Sequence, residues 1–202
     1  GEELEFLDQK IEQNTRELEN IAMYDSLTGL PNRNMLNYQL NQLLATLQNN
    51  SNKLTMMFLD FDRFRKVNDS HGHDVGDKVL VEVSRILNQV RRKSDWAFRL
   101  GGEEFCVLVP NTSAQQAEDI AERLRHLISE VVVVDGCHIS LSISVGVSRW
   151  PEDGDRFSHI YKTADARLYQ AKLTGRNKVV TAAGEQAIVA DYAVVAKLSG
   201  SS

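Results

Sequence analysis

Two short apolar runs, Ala97-Phe98-Arg99-Leu100 and Phe105-Cys106-Val107-Leu108-Val109, are separated by Gly101-Gly102-Glu103-Glu104 alone. Four residues suffice for a hairpin, with two glycines that take positive φ at no steric cost, but are far too few for a crossover. These neighbouring strands must run antiparallel, and Pro110 closes the second. A purely parallel sheet is excluded. Because such strands intermix with helical periods along the chain, the fold class is α+β.

The remaining elements follow from periodicity. Residues 34–48 read as a helix with Leu36, Leu40, Leu43, Leu44 and Leu47 on one face, introduced by the turn chemistry of residues 25–33 and followed by a polar loop over 48–52. Leu54 to Leu59 reads as a buried strand ending at Asp60. A helix starts at Asp77, with Val79, Leu80, Val83, Ile86, Leu87 and Val90 as its core face. Residues 114–130 are amphipathic, on Ala117, Ala121, Leu124, Leu127 and Ile128. Val131–Val134 and Ile139–Val147 read as strands around Asp135-Gly136. Phe157–Leu173 reads as a helix and Lys178–Thr181 as a last short strand. Residues 182–202 form a C-terminal tail, unreadable from residue 185 onward.

The first 22 residues differ in texture. Leu4, Leu7, Ile11, Asn14, Leu18 and Ile21 alternate steps of three and four, the a/d spacing of a coiled coil, with a polar Asn at one d position to set register. The pattern predicts a signalling helix that forms a parallel homodimer. Charge separates the same segment: seven acids and two bases lie in residues 1–22, and 21 of each follow, so the whole net charge of −5 sits on this helix. The acidic balance argues against a protein that grips nucleic-acid phosphates. Two cysteines give neither a disulfide framework nor metal-ligand spacing, and the expected setting is cytoplasmic. The chain begins at Gly1 without a signal-peptide pattern, which reads as a segment of a longer parent protein, membrane-anchored or not.

Two acidic clusters lie where strands end: Asp60-Phe61-Asp62, and Glu103-Glu104 at the hairpin tip. Carboxylates on rigid strand ends suit a hard, oxygen-seeking cation such as Mg²⁺, which completes its shell with water and phosphate oxygens. Between Asp60 and Asp77 lie Arg63, Arg65, Lys66, Asn68, His71 and His73, a polar density beyond what a connector needs. Lys172 and Arg176 sit one turn apart where the last helix ends. Cations at a helix end beside paired carboxylates suggest triphosphate handling, and so a nucleotide-binding or phosphoryl-transfer site.

Gly101-Gly102-Glu103-Glu104-Phe105 resembles the signature of the GGDEF domains, the bacterial diguanylate cyclases, in its Glu variant. Further blocks resemble the family in order: Asp25-x-Leu27-Thr28-Gly29-Leu30-x-Asn32-Arg33; Asp60-x-Asp62-x-Phe64 with Asn68-Asp69; His71-Gly72-His73-x-x-Gly76-Asp77; Ser144-x-Gly146-Val147; Ala164-Asp165 and Leu168-Tyr169; Ala171-Lys172; and Gly175-Arg176-Asn177. The resemblance covers residues 23–181. It implies a mostly antiparallel central sheet flanked by helices, related to the palm of nucleotidyl cyclases and polymerases. It also implies condensation of two GTP into cyclic di-GMP with release of two pyrophosphates, one GTP being held by each protomer of a dimer.

Carried over residue by residue, the resemblance gives Asp60, Glu103 and the Phe61 carbonyl to two Mg²⁺ (or Mn²⁺), with Glu104 assisting and Glu103 deprotonating the attacking 3′-hydroxyl. It gives guanine to Asn68 and Asp77. The β- and γ-phosphates go to Lys172, Arg176 and the segment Phe61, Asp62, Arg63, Phe64 and Arg65. Arg65 departs from the usual Lys and replaces a point charge with a planar fork. Arg92 and Asp95, with Arg123, match the RxxD site at which cyclic di-GMP inhibits. An upstream sensor domain is the implied partner. Two other readings remain: a GTP- or cyclic di-GMP-sensing module without turnover, and a different nucleotidyl cyclase or polymerase-like palm, which would accept ATP as well as GTP.

Overall fold

Leu54–Asp62 forms strand β1, and both of its faces are covered. The computed structural model, which describes residues 1–49, 51–130 and 132–185, places it at the centre of a five-stranded sheet. In chain order the elements are α1 (Glu2–Met23), α2 (Arg33–Asn49), β1, α3 (Phe64–His71), α4 (His73–Val90), β2 (Trp96–Gly101), β3 (Glu104–Pro110), α5 (Ala114–Glu130), β4 (Val132–Val134), β5 (Cys137–Ile139), β6 (Ser142–Trp150), α6 (Phe157–Leu173) and β7 (Val179–Val180). The sheet order is β2-β3-β1-β6-β7. β1 is antiparallel to β3 and β6, and β2 to β3, while β7 joins β6 in parallel. The expected α+β class and mostly antiparallel sheet are both present.

Strand side chains alternate faces, so β1 feeds two cores. Met57, Leu59 and Phe61, with Phe105, Val107 and Val145, pack on α4 through Val79, Leu80, Val83 and Leu87 and on α5 through Ala121, Leu124 and Ile128. Leu54, Met56 and Phe58, with Phe98, Cys106 and Leu108, pack on α2 through Leu36, Leu40 and Leu47 and on α6 through Ile160, Ala164 and Leu168. This double cover explains why Leu54 to Leu59 is apolar without alternation. α6 lies directly on β6. A Cβ at Gly146 would fall 2.1 Å from the Ala164 carbonyl oxygen and 2.3 Å from the Leu168 nitrogen.

Several boundaries differ from the sequence expectation. The stretch between Asp60 and Asp77 holds the helix α3, and α4 starts four residues before Asp77, at His73. With Phe64 and Val67 as its buried residues, α3 is too short to show a period. Gly72, at φ 90°, makes the break between the two helices. The strand expected over Ile139–Val147 is divided: Cys137–Ile139 pairs with β4 in a separate hairpin, and β6 begins at Ser142. Val131 and the side chain of Leu44 lie outside the described residues, as do residues 186–202 of the tail. Among the described residues no helix is long and apolar enough to cross a membrane.

α1 buries none of its residues. Its stripe is open, with Leu4 67%, Leu7 49%, Ile11 61%, Leu18 67% and Ile21 76% exposed. Just beyond it, Asp25 accepts from the Thr28 backbone N–H at 2.9 Å and hydroxyl at 2.7 Å, and from Arg99 Nη1 at 3.0 Å. The same guanidinium donates through Nη2 to the Gly102 carbonyl at 2.9 Å. One side chain thus ties the segment after α1 to the hairpin tip. Burial alone would raise the Asp25 carboxyl, but these donors hold it below its ordinary value.

Candidate active site

The β1–β3 register sets Asp60 directly opposite Glu104, and a register irregularity between Arg99 and Gly101 distorts the hairpin just before its tip. Gly101 at φ 139° and Gly102 at φ 50° supply the backbone angles that turn requires, and they present Glu103 beside Asp60. The two acidic clusters of the sequence therefore meet at one end of the sheet. Lys172, in the last turn of α6, reaches across, with Nζ 2.8 Å from Asp60 Oδ2. The other Asp60 oxygen, Oδ1, is buried and has no hydrogen-bond partner.

One cation among these acids does not neutralise them. Burial raises the Glu103 carboxyl to about 7, with the negative charge of Asp60 adding to it against the pull of Lys172. Asp60 and Glu104 are raised as well, chiefly by burial, with Lys172 opposing the shift at Asp60 and Arg33 at Glu104. Among the described residues no three His, Cys, Asp or Glu side chains form a complete metal cage. The set instead has hard oxygen donors, an orphaned buried oxygen and excess negative charge. That suits Mg²⁺, which binds through one or two carboxylates and takes its other ligands from water and phosphate.

Phe61 offers only backbone, since its ring is buried and stacks on Phe64 with centroids 5.4 Å apart. Arg63 caps α3 at φ 58°, ahead of the Phe64 and Arg65 N–H groups that open the helix, while the Lys66 N–H is bonded to the Arg63 carbonyl at 2.9 Å. A cavity of about 330 Å³ lies here, lined by Asp62, Arg63, Lys66, Ser142, Arg176 and Asn177 among others. Its three cations come from two segments, Arg63 and Lys66 from the start of α3 and Arg176 from the turn after α6. Lys66 stood in the sequence as one of several charges, and only the α3 turn brings it to this cavity. The Asp62 carboxylate faces inward, accepting from Ser142, Ser144 and the Asn177 N–H. Arg65 is almost fully exposed, 4.0 Å from Asp69. Asn68 Oδ1 is buried without a partner, and Gly76 leaves it room: a Cβ there would stand 1.9 Å away. Asp77 lies exposed on α4.

The RxxD pair is closed on itself. Asp95, 5% exposed, accepts from the Arg92 backbone N–H at 2.8 Å and from its Nη2 at 3.1 Å, and Arg92 also donates to the Pro110 carbonyl at 3.0 Å. Both residues and Arg123 line one cavity of about 150 Å³ between α4, α5 and the sheet.

The family described as "Diguanylate cyclase, GGDEF domain" matches residues 22–178. The chain belongs to the GGDEF domain family. It is 41% identical over 160 residues to the cyclic di-GMP phosphodiesterase NbdA of Pseudomonas aeruginosa, covering 79% of this chain and 20% of that protein. It is 37% identical over 170 residues to diguanylate cyclase A of Treponema denticola, covering 82% of this chain and 46% of that one. The chain spans less than half the length of these curated relatives. The crystal structure of the coiled coil and GGDEF domain of DgcB from Caulobacter crescentus, in complex with c-di-GMP, superposes with a TM-score of 0.81 at 25% identity. That match covers 89% of this chain and 96% of the other.

Proposed function

We propose that this GGDEF chain is a diguanylate cyclase that condenses two GTP into cyclic di-GMP. The observation that carries the reading is the Asp60–Glu103–Lys172 constellation: two strand-end carboxylates, one raised to about 7, against a lysine at a helix end. Asp60, Glu103 and the Phe61 carbonyl would hold Mg²⁺, with Glu104 in support; when bound it supplies positive charge at the α-phosphate. Lys172, Arg176, Arg63 and the first N–H groups of α3 bind the terminal phosphates. Asn68 Oδ1 and Asp77 accept from the guanine edge.

Glu103 accepts the proton of the 3′-hydroxyl belonging to the partner protomer's GTP. That oxygen forms a bond to the α-phosphorus, and the bond from phosphorus to the bridging oxygen breaks to release pyrophosphate. A second, symmetric attack closes the ring. Since each protomer contributes one GTP, turnover requires a dimer. The open stripe of α1 is the element suited to form it, and an upstream sensor would act through it. Arg92, Asp95 and Arg123 would bind the product once the Arg92–Asp95 pair opens.

Incubation with GTP and Mg²⁺ should give cyclic di-GMP and two equivalents of pyrophosphate, and Glu103→Gln should abolish both. A verified dimer that binds GTP but makes no product would leave the sensing module as the reading. Product formed equally from ATP would indicate a less selective cyclase.

A further inference from the structure

Asp62 stands in the phosphate-binding segment by sequence and borders the same cavity, yet its carboxylate is engaged by the protein's own donors. It is 6% exposed. Oδ2 accepts from Ser142 Oγ at 2.6 Å and from the Asn177 backbone N–H at 2.9 Å, and Oδ1 accepts from Ser144 Oγ at 2.6 Å. Three donors from two separate segments fill most of a carboxylate's acceptor capacity. A bare carboxylate at a triphosphate site would repel it; here three donors of the protein itself compensate the charge.

What it holds is the turn that carries Arg176. After α6, Gly175, Arg176 and Asn177 take φ values of 118°, 63° and 46° in succession. Two consecutive non-glycine residues in the left-handed region are disfavoured and persist only where surrounding contacts impose them. The Asp62 bond to the Asn177 N–H fixes the turn from the sheet side, and Arg125 Nη1 donates to Asn177 Oδ1 at 2.8 Å from α5. Arg176 N–H is tied to the Ala171 carbonyl at 2.9 Å. Arg176 is thereby held at the same cavity as Arg63 and Lys66.

We infer that Asp62 is a positioning residue, which sets the strained Gly175-Arg176-Asn177 turn so that Arg176 meets the terminal phosphates of a nucleoside triphosphate. The inference rests on the GTP reading above and adds to it a residue that never touches the substrate. Its signature is selectivity for phosphate number, since the proposed base contacts at Asn68 and Asp77 lie on α3 and α4, elements other than this turn.

Calorimetric titration of GTP and of GMP, each with Mg²⁺, into wild type, Asp62→Ala, Asp62→Asn and Arg176→Ala tests it. Loss of a hydrogen bond to a charged group predicts about a tenfold drop in GTP affinity for Asp62→Ala, with GMP affinity held within about twofold. Asp62→Asn, whose amide oxygen still accepts from the Asn177 N–H, should keep GTP affinity within about threefold. The Asp62→Ala/Arg176→Ala double variant should lose little more than Arg176→Ala alone. If Asp62→Ala does not fold, Ser144→Ala removes one donor and should show the same GTP-only loss in weaker form. Unchanged GTP affinity, or equal loss of GTP and GMP in a folded variant, overturns the proposal. Wild-type protein that binds GTP no more tightly than GMP would instead remove the GTP reading, and this inference with it.

Discussion

Glu103 and Asp60 are two acids held together by the fold before any cation arrives. The Glu103 carboxyl, raised to about 7 by burial and then by Asp60, keeps its proton in the folded protein at pH values where the unfolded chain has already released it. A raised acid contributes stability that is lost as pH climbs from its ordinary value of 4.5 through 7. Glutamine at this position cannot ionise and so escapes that loss. In the presence of a chelator, Glu103→Gln should melt close to wild type at pH 5 and above it at pH 8. A melting-temperature difference that stays constant across that range would show that Glu103 titrates normally.

At the scale of elements, the site depends on how tightly α6 lies on β6. Lys172 reaches Asp60 because no side chain separates helix from strand at Gly146, where a Cβ would sit 2.1 Å from the Ala164 carbonyl. Backbone cannot rotate out of the way as a side chain can, so Gly146→Ala must lift α6 or bend β6. We expect about 3 kcal/mol of lost stability by urea unfolding, the upper end of overpacking costs, with Lys172 drawn off Asp60. A variant of near wild-type stability would mean the helix shifts freely. The same element explains what was legible in the sequence. The bounds of α6 follow from a helical pattern sustained over its seventeen residues, and β1 from an unbroken apolar run covered on both faces. α3 escaped because eight residues with two buried anchors carry no period, and its role comes from Gly72 and from packing on α4. The Asp60 and Glu103 clusters were readable as separate acids. Their meeting is a consequence of the β1–β3 register, and the inward turn of Asp62 depends on Ser142, Ser144 and Asn177, far away along the chain.

For the whole molecule, the proposed catalysis by two half-sites would make assembly a condition of chemistry, and the proposal assigns that assembly to α1, outside the five-stranded sheet and its cores. α1 buries nothing of its own, so making Leu7, Leu18 and Ile21 polar removes no intramolecular core. Its heptad puts Glu3 at g and Asp8 at the e position that faces it in a parallel dimer, a like-charge pair on a helix that already holds the whole net charge of −5. A parallel α1 dimer would therefore be opposed by repulsion that salt screens over about 10 Å at 0.1 M. The connection onward is short: Asp25, two residues past α1, is held by Arg99, which also grips the Gly102 carbonyl next to Glu103. Activity per protomer should rise with protein concentration in the wild type, and at a fixed low concentration it should rise again with added NaCl. Leu7→Ser/Leu18→Ser/Ile21→Ser should lower it by about tenfold or more at that concentration, through lost a/d burial of about 1.5 kcal/mol or more per side chain, while the melting temperature stays unchanged. Turnover followed across dilution, beside sedimentation of the same samples, measures both. Constant activity per protomer on dilution would place the control of encounter somewhere other than α1.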